Sequence, residues 1–214
     1  SMQTVTMLSG PGPPARSGGQ VCDFMGGIHF YGALVTALLG RERTGVGTMV
    51  ESAMIEAIYF NISSEYSHYH RTGEIPPRRG DKSAGLTTPY GRYECKDGWV
   101  ALIIVSEAQW KSLCRLIGRP ELADDPAYEG NPNRNPMEPE INEMISAWTR
   151  TQTRDEAYEK MKAARLPIGA VRDVEEVMHD PHLHARGMLN TMQHPYMGEV
   201  VLPSSPLRLF DYET

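Results

Sequence analysis

Asp23 stands where a Gly/Pro-rich stretch gives way to an apolar run. A carboxylate at a helix start is favoured in its ionised form by the positive end of the helix dipole, and the backbone N–H groups of the first turn can hold a developing oxyanion. Asp is equally at home there as a plain helix N-cap, and the local sequence alone favours the cap. Arg78, Arg79 and Lys82 share a polar stretch with Gly80 and Gly85. These cations could meet phosphate groups, although a run of charge is ordinarily solvated surface. The stretch His179-Asp180-Pro181-His182-Leu183-His184 suggests metal ligands. No thiol or acidic ligand set completes a site and an Asp-Pro turn accounts for the pattern, so no metal is expected. Cys22, Cys95 and Cys114 lack metal spacing and fit a reduced, cytoplasmic setting.

Several elements must position these groups. Residues 3–20 are turn-rich around Ser9-Gly10-Pro11-Gly12-Pro13-Pro14, an unpromising start for a domain, so a partial chain is expected. Phe24 to Leu39 is apolar or small on every face except at His29 and Thr36, which predicts a buried helix. Gly26, Gly27 and Gly32 each cost a helix about 1 kcal/mol, so close backbone approach is expected at all of them. Gly40 with Arg41-Glu42-Arg43 predicts its C-terminal end. A second helix is expected from about Glu51, with Met54, Ile55, Ile58 and Ile62 at helical spacing. Residues 71–88 read as a linker or mobile loop.

Beyond it, Tyr90–Cys95 and Trp99–Val105 predict a β-hairpin, with Asp97-Gly98 supplying positive φ at the turn. Ser106 and Gln109 predict a capping box and a helix through Trp110, Leu113 and Leu116, ended by Gly118 and Pro120. Another helix runs through Ile141, Met144, Ile145 and Trp148, and the next opens with a Thr153/Glu156 box and ends before Pro167. A strand at Ile168–Val171, a short helix from Asp173 and strand-like pieces near 188–193, 198–202 and 206–210 complete the chain. Trp99, Trp110, Trp148 and the methionines are expected in the core.

Composition bounds the function. With 214 residues, 40% apolar, 22% charged and a net charge of −6, the chain is of ordinary globular type. Interspersed charge argues against a nucleic-acid surface. No apolar run approaches the ~20 residues expected of a membrane span. No secretory leader is expected either, and Ser1-Met2 reads as a tag-removal scar.

Together several stretches resemble the family III CoA-transferases, the group that includes formyl-CoA transferase, the carnitine-pathway CoA-transferase and α-methylacyl-CoA racemase. They are Gly12-Pro13-Pro14-Ala15-Arg16-Ser17-Gly18 followed by Asp23, Arg41-Glu42-Arg43-Thr44-Gly45-Val46-Gly47, and Pro89-Tyr90-Gly91-Arg92-Tyr93-Glu94-Cys95 through Asp97-Gly98-Trp99-Val100. Further on come Gly118-Arg119-Pro120-Glu121-Leu122 with Asp125-Pro126, Leu166-Pro167-Ile168-Gly169-Ala170-Val171, Asp180-Pro181-His182-Leu183 with Arg186-Gly187-Met188, and Ser205-Pro206-Leu207-Arg208-Leu209. Each is weak by itself; their order and spacing carry the resemblance.

The resemblance implies an α/β fold. Residues 1–70 would be a remnant of the family's large α/β domain, 71–88 the linker, 89–187 a small α+β domain and 188–214 the return toward the large domain. It implies Asp23 as the nucleophile of a CoA-transferase moving CoA between carboxylic acids through an aspartyl anhydride and an aspartyl-CoA thioester. Arg79, Gly80, Lys82 and Gly85 would belong to a loop closing over bound coenzyme A. The alternative is an acyl-CoA racemase or isomerase exchanging the α-proton, toward which Gly26-Gly27 after the aspartate leans; a third is an inactive fragment, a subunit or an interaction module. Implied partners are acyl-CoA, a carboxylic acid, and a second copy or a chain supplying a missing half; no nucleic acid or membrane is implied. Without that half, little activity is expected from the chain alone.

Overall fold

The computed structural model describes residues 19–76 and 87–208. The chain has mixed α and β structure and divides into two compact units, residues 1–86 and 87–214.

In the first unit, helix α1 runs Val21–Thr44, a 3-10 turn at Phe60–Ile62 joins α2 (Met54–Tyr59) to α3 (Ser63–Thr72). Helix α1 ends as expected with Arg41 and Arg43 in its last turn, at Thr44, and Gly45, with φ of 73° and a 2.8 Å bond from its N–H to the Arg41 carbonyl, forms the left-handed cap. The reason is that Arg41, Glu42 and Arg43 are good helix formers, and basic side chains suit a last turn. Residues 71 and 72 are the end of α3 rather than loop, and Gly73 caps it.

The expectation of a buried α1 is overturned. Of its residues only Cys22 and Gly26 are buried, while Phe24 is 71% and Ile28 62% exposed. An all-round apolar helix needs neighbours on every side, and among the described residues of this unit α2 covers a single stripe. Close approach accordingly holds at Gly26 alone, where a Cβ would lie 3.0 Å from Met54 Cγ; at Gly27 and Gly32 nothing lies within 4 Å. Helix α1 is also long and apolar enough, by length and composition, to cross a membrane, contrary to the sequence expectation. The small and lightly polar residues that break its run lower the hydropathy less than they break the pattern.

The second unit contains a three-stranded antiparallel sheet of order β1 (Tyr90–Glu94), β2 (Trp99–Ile103), β3 (Ile168–Ala170). Tyr93 pairs with Val100 and Leu102 with Ile168. One face of the sheet packs on helices α4 (Glu107–Leu116), α6 (Glu138–Thr149) and α7 (Arg154–Ala163), around a core in which Trp110, Leu113, Ile141, Ile145 and Met161 are buried with Tyr93, Val100, Leu102 and Ile104. The short helix α5 spans Gly130–Arg134. Reciprocal capping boxes form at Ser106/Gln109 and Thr153/Glu156, and another at Asp173/Glu176 opens α8 (Val174–Met178). Helix α9 (Pro181–Ala185) starts on the Asp180 cap, and β4 (Leu189–His194) pairs with β5 (Gly198–Pro203). No strand occupies residues 206–208, and the remainder of that expected piece lies outside the described residues.

Two further expectations fail for local reasons. Gly98 does not have positive φ, because the hairpin loop has four residues, with the Cys95 N–H bonded to the Gly98 carbonyl at 2.8 Å. Gly98 instead admits α7: a Cβ there would lie 3.3 Å from Arg154 Cδ, and Asp97 accepts the Arg154 backbone N–H at 2.6 Å. Trp99 is not core. It lies on the outer face of β2, 41% exposed, with the Arg92 guanidinium 5.7 Å from its ring centroid. Among the methionines Met161 is buried, whereas Met49 and Met197 are largely exposed.

Candidate active site

Asp23 lies in the first turn of α1, but not at its cap. Gln20 is the N-cap, makes no side-chain capping bond, and accepts the Phe24 N–H at its carbonyl at 3.1 Å. The Asp23 carboxylate is therefore surplus to capping. It is exposed, beside the first-turn N–H groups and within the positive end of a 24-residue helix. Its neighbour Cys22 and the i+3 residue Gly26 are buried, and Gly26 lies against Met54 of α2. Helical side chains lean toward the N-terminus, so residues at i+3 and i+4 cover the one at i. Here those positions are Gly26 and Gly27, which have no side chain, and the carboxylate stands uncovered by its own helix. A carboxylate so placed can attack an electrophilic carbonyl, with backbone donors nearby for the oxygen that becomes negative.

Arg78, Arg79, Gly80, Lys82 and Gly85 lie outside the described residues. The histidines near residue 180 turn to backbone: His179 Nδ1 lies 2.8 Å from the Glu175 carbonyl and His184 Nε2 2.8 Å from that of Met178. Among the described residues no group of His, Cys, Asp and Glu is arranged to hold a metal. The thiols of Cys95 and Cys114 are raised by burial, Cys114 to about 12, so both are protonated at neutral pH.

One polar cluster in the second unit was not anticipated. Arg134, 1% exposed, donates to both carboxylate oxygens of Glu107 at 2.9 and 3.1 Å, to the Thr88 carbonyl at 3.1 Å and to the Tyr128 carbonyl at 2.9 Å. Its guanidinium lies 5.1 Å from the centroid of Trp110, which stacks on Tyr128. The fork holds Glu107 below the ordinary carboxylate range, its bonds to Arg134 outweighing the cost of partial burial. The available signal was the spacing Asn131, Arg134, Asn135 just after Asp125-Pro126; nothing local marks the arginine as buried.

Against known proteins, residues 1–214 match CoA-transferase family III, and the chain belongs to that family. It is 34% identical to a formyl-CoA:oxalate CoA-transferase of Streptomyces avermitilis, over 94% of this chain and 53% of that protein. It is 29% identical to a succinyl-CoA:mesaconate CoA-transferase of Haloarcula hispanica, over 92% of this chain and 49% of that one. Among solved structures, a CAIB/BAIF family protein from Brucella suis superposes with a TM-score of 0.74 at 25% identity, covering 98% of this chain and 55% of that one. A Mycobacterium tuberculosis protein in an orthorhombic form has a TM-score of 0.80 at 20% identity over 98% of this chain and 56% of its own, which shows a shared fold. The chain thus spans about half the length of the curated relatives it matches. Because the structural matches cover nearly all of it, α1 is accounted for as part of that fold.

Proposed function

We propose that this chain carries the nucleophile of an enzyme that moves CoA between carboxylic acids, and that the nucleophile is Asp23. The observation that carries this reading is a first-turn carboxylate freed from capping and left uncovered by the glycines beyond it, in a chain of CoA-transferase family III. Asp23 attacks the thioester carbonyl; the C–S bond breaks, leaving a mixed anhydride and the CoA thiolate. The thiolate attacks the aspartyl carbonyl, which releases the donor carboxylate and leaves an aspartyl-CoA thioester. The acceptor carboxylate displaces CoA from that thioester to give a second anhydride. The thiolate then attacks the acceptor's acyl carbon, yielding the new acyl-CoA and restoring Asp23. No proton or electron is consumed.

In this reading Arg79 and Lys82 meet CoA phosphates, and Gly80 and Gly85 flank a loop that closes over the bound thioester. Residues 1–70 belong to the large domain, 71–88 to the linker, 89–187 to the small domain and 188–214 to the return. A second copy, or a chain supplying the remaining half, completes the site in the cytoplasm. The relatives' names speak of CoA transfer, and this favours transfer over α-proton exchange.

Trapping tests it. The complete enzyme is incubated with acyl-CoA, then treated with hydroxylamine or borohydride, and the peptide containing Asp23 is weighed. A modified Asp23, lost in Asp23→Ala along with turnover, is expected. Transfer that survives Asp23→Ala without an adduct overturns the assignment. Solvent deuterium at the α-carbon without CoA transfer would select the racemase chemistry instead.

A further inference from the structure

The junction of α2 and α3 frames a pocket lined by none of the residues assigned above. Tyr59 ends α2, Ile62 closes the 3-10 turn, and Glu65, Tyr66 and Tyr69 follow on α3. Gly73, at φ of 73°, ends that helix, and Ile75 beyond it lines the same pocket. The spacing of residues 59, 62, 66 and 69 is that of one helical face, so a single stripe of the chain supplies most of the wall. The cavity measures about 370 Å³, within the range of small-molecule sites.

Its lining is aromatic and aliphatic, with one charge. Tyr59 and Tyr66 stack with ring centroids 4.8 Å apart and planes 5° from parallel, which leaves each ring one outer face. Glu65 is half-buried, and its Oε2 accepts the Ser64 hydroxyl at 2.9 Å. No basic side chain among the described residues pairs with it. The helix dipole favours an acid in the first turn of α3, which accounts for a glutamate there but not for the tyrosines that share its pocket. Ring faces carry negative potential and the carboxylate adds to it, so a cation is drawn in and an anion repelled. A primary ammonium calls for three hydrogen-bond acceptors. A methylated one needs none, and ring faces and aliphatic walls match it.

We propose that this pocket is a binding site for a small methylated ammonium ion, with the tyrosine rings holding its methyl groups and Glu65 as its counter-ion. The site stands whether or not Asp23 is the nucleophile.

Choline titrated into the 214-residue chain tests it beside two analogues. One is 3,3-dimethylbutan-1-ol, which keeps the shape without the charge; the other is ethanolamine, which keeps the charge without the methyl groups. Aromatic NMR shifts of Tyr59, Tyr66 and Tyr69 report where each binds. Choline is expected to move these resonances and to bind about tenfold more tightly than either analogue. Tyr69→Phe should keep the affinity because the ring remains, whereas Tyr69→Leu and Glu65→Gln should each weaken it about fivefold. Tyr69 is 53% exposed, so its replacement should leave the fold intact. Should Tyr69→Leu lose its helical circular dichroism, Glu65→Gln still decides. Equal binding of choline and the neutral alcohol, tighter binding of ethanolamine, shifts confined to other tyrosines, or full affinity in Glu65→Gln overturns the site.

Discussion

The two units treat apolar side chains in opposite ways. In the second, Trp110, Ile141, Ile145 and Met161 are all but inaccessible, and polar groups driven inside with them, such as Arg134 and Thr88, are paired. In the first, the long apolar helix α1 leaves Phe24, Ile28 and Leu39 at least half exposed. Apolar content therefore predicts how much surface wants cover, and neighbours decide whether it is covered. The second unit's core is built from its own residues, whereas Asp23 sits on a helix in which only Cys22 and Gly26 are buried.

The sharpest way to break the comparison is one kind of truncation made in both places. Trp110→Ala should destabilise the second unit by about 3–5 kcal/mol, since it empties a packed core. It also removes the ring beneath Arg134 and the indole N–H bonded to the Leu122 carbonyl at 3.2 Å. Phe24→Ala should change stability by no more than about 0.5 kcal/mol, as at other exposed positions. Urea titration of each variant measures both, and a costly Phe24→Ala would mean that α1 is covered in solution.

Acid tests the second unit next. Glu107 and Glu176 are both held below the ordinary carboxylate range, chiefly by hydrogen bonds from Arg134 and Arg154. A carboxylate depressed on folding adds stability that is present above its unfolded pKa and is lost as pH falls through its folded one. The second unit should accordingly weaken below about pH 4, the range in which ordinary carboxylates titrate. Thermal melts at descending pH should show this limb, and Glu107→Gln should flatten it. An unchanged limb would remove the Arg134 pair from the account.

What was legible in the sequence follows the range of the interactions. The capping boxes at Ser106/Gln109 and Thr153/Glu156 and the hairpin were readable because each is complete within a few residues. Trp99 could have been placed outside by alternation with Val100 and Leu102, had periodicity been preferred to residue type. Arg134 could not, because its burial is made by Glu107, Thr88 and Tyr128 and no local pattern encodes them. Nor could the exposure of α1, which depends on which faces find a partner. The proposal of Asp23 as nucleophile rests on its surrounding motifs, since the same residue in isolation reads as a cap. Gln20 proved to be the cap.

A local interaction gives a smaller test. Thr153→Ala should cost about 1 kcal/mol, the usual worth of an N-cap, because the Thr153 hydroxyl accepts the Glu156 N–H at 3.2 Å. A melt of the purified chain checks it, and a null effect would mean that docking through Asp97 alone secures the start of α7.

The smallest effect probes the comparison within one helix. Gly26 and Gly27 are adjacent, yet one faces α2 and the other faces nothing within 4 Å. At Gly27 an alanine should stabilise α1 by up to about 1 kcal/mol through helix propensity. At Gly26 the same gain must be set against a Cβ only 3.0 Å from Met54 Cγ, and the methionine has to shift before any of it is realised. Gly27→Ala should therefore be the more stable of the two variants in a circular-dichroism melt. Equal gains would mean that Met54 yields freely and that α1 and α2 are loosely packed. A loss at Gly27 would mean that in solution something lies against the open face beside Asp23, which turns this pair of glycines into a direct reading of whether that face is covered.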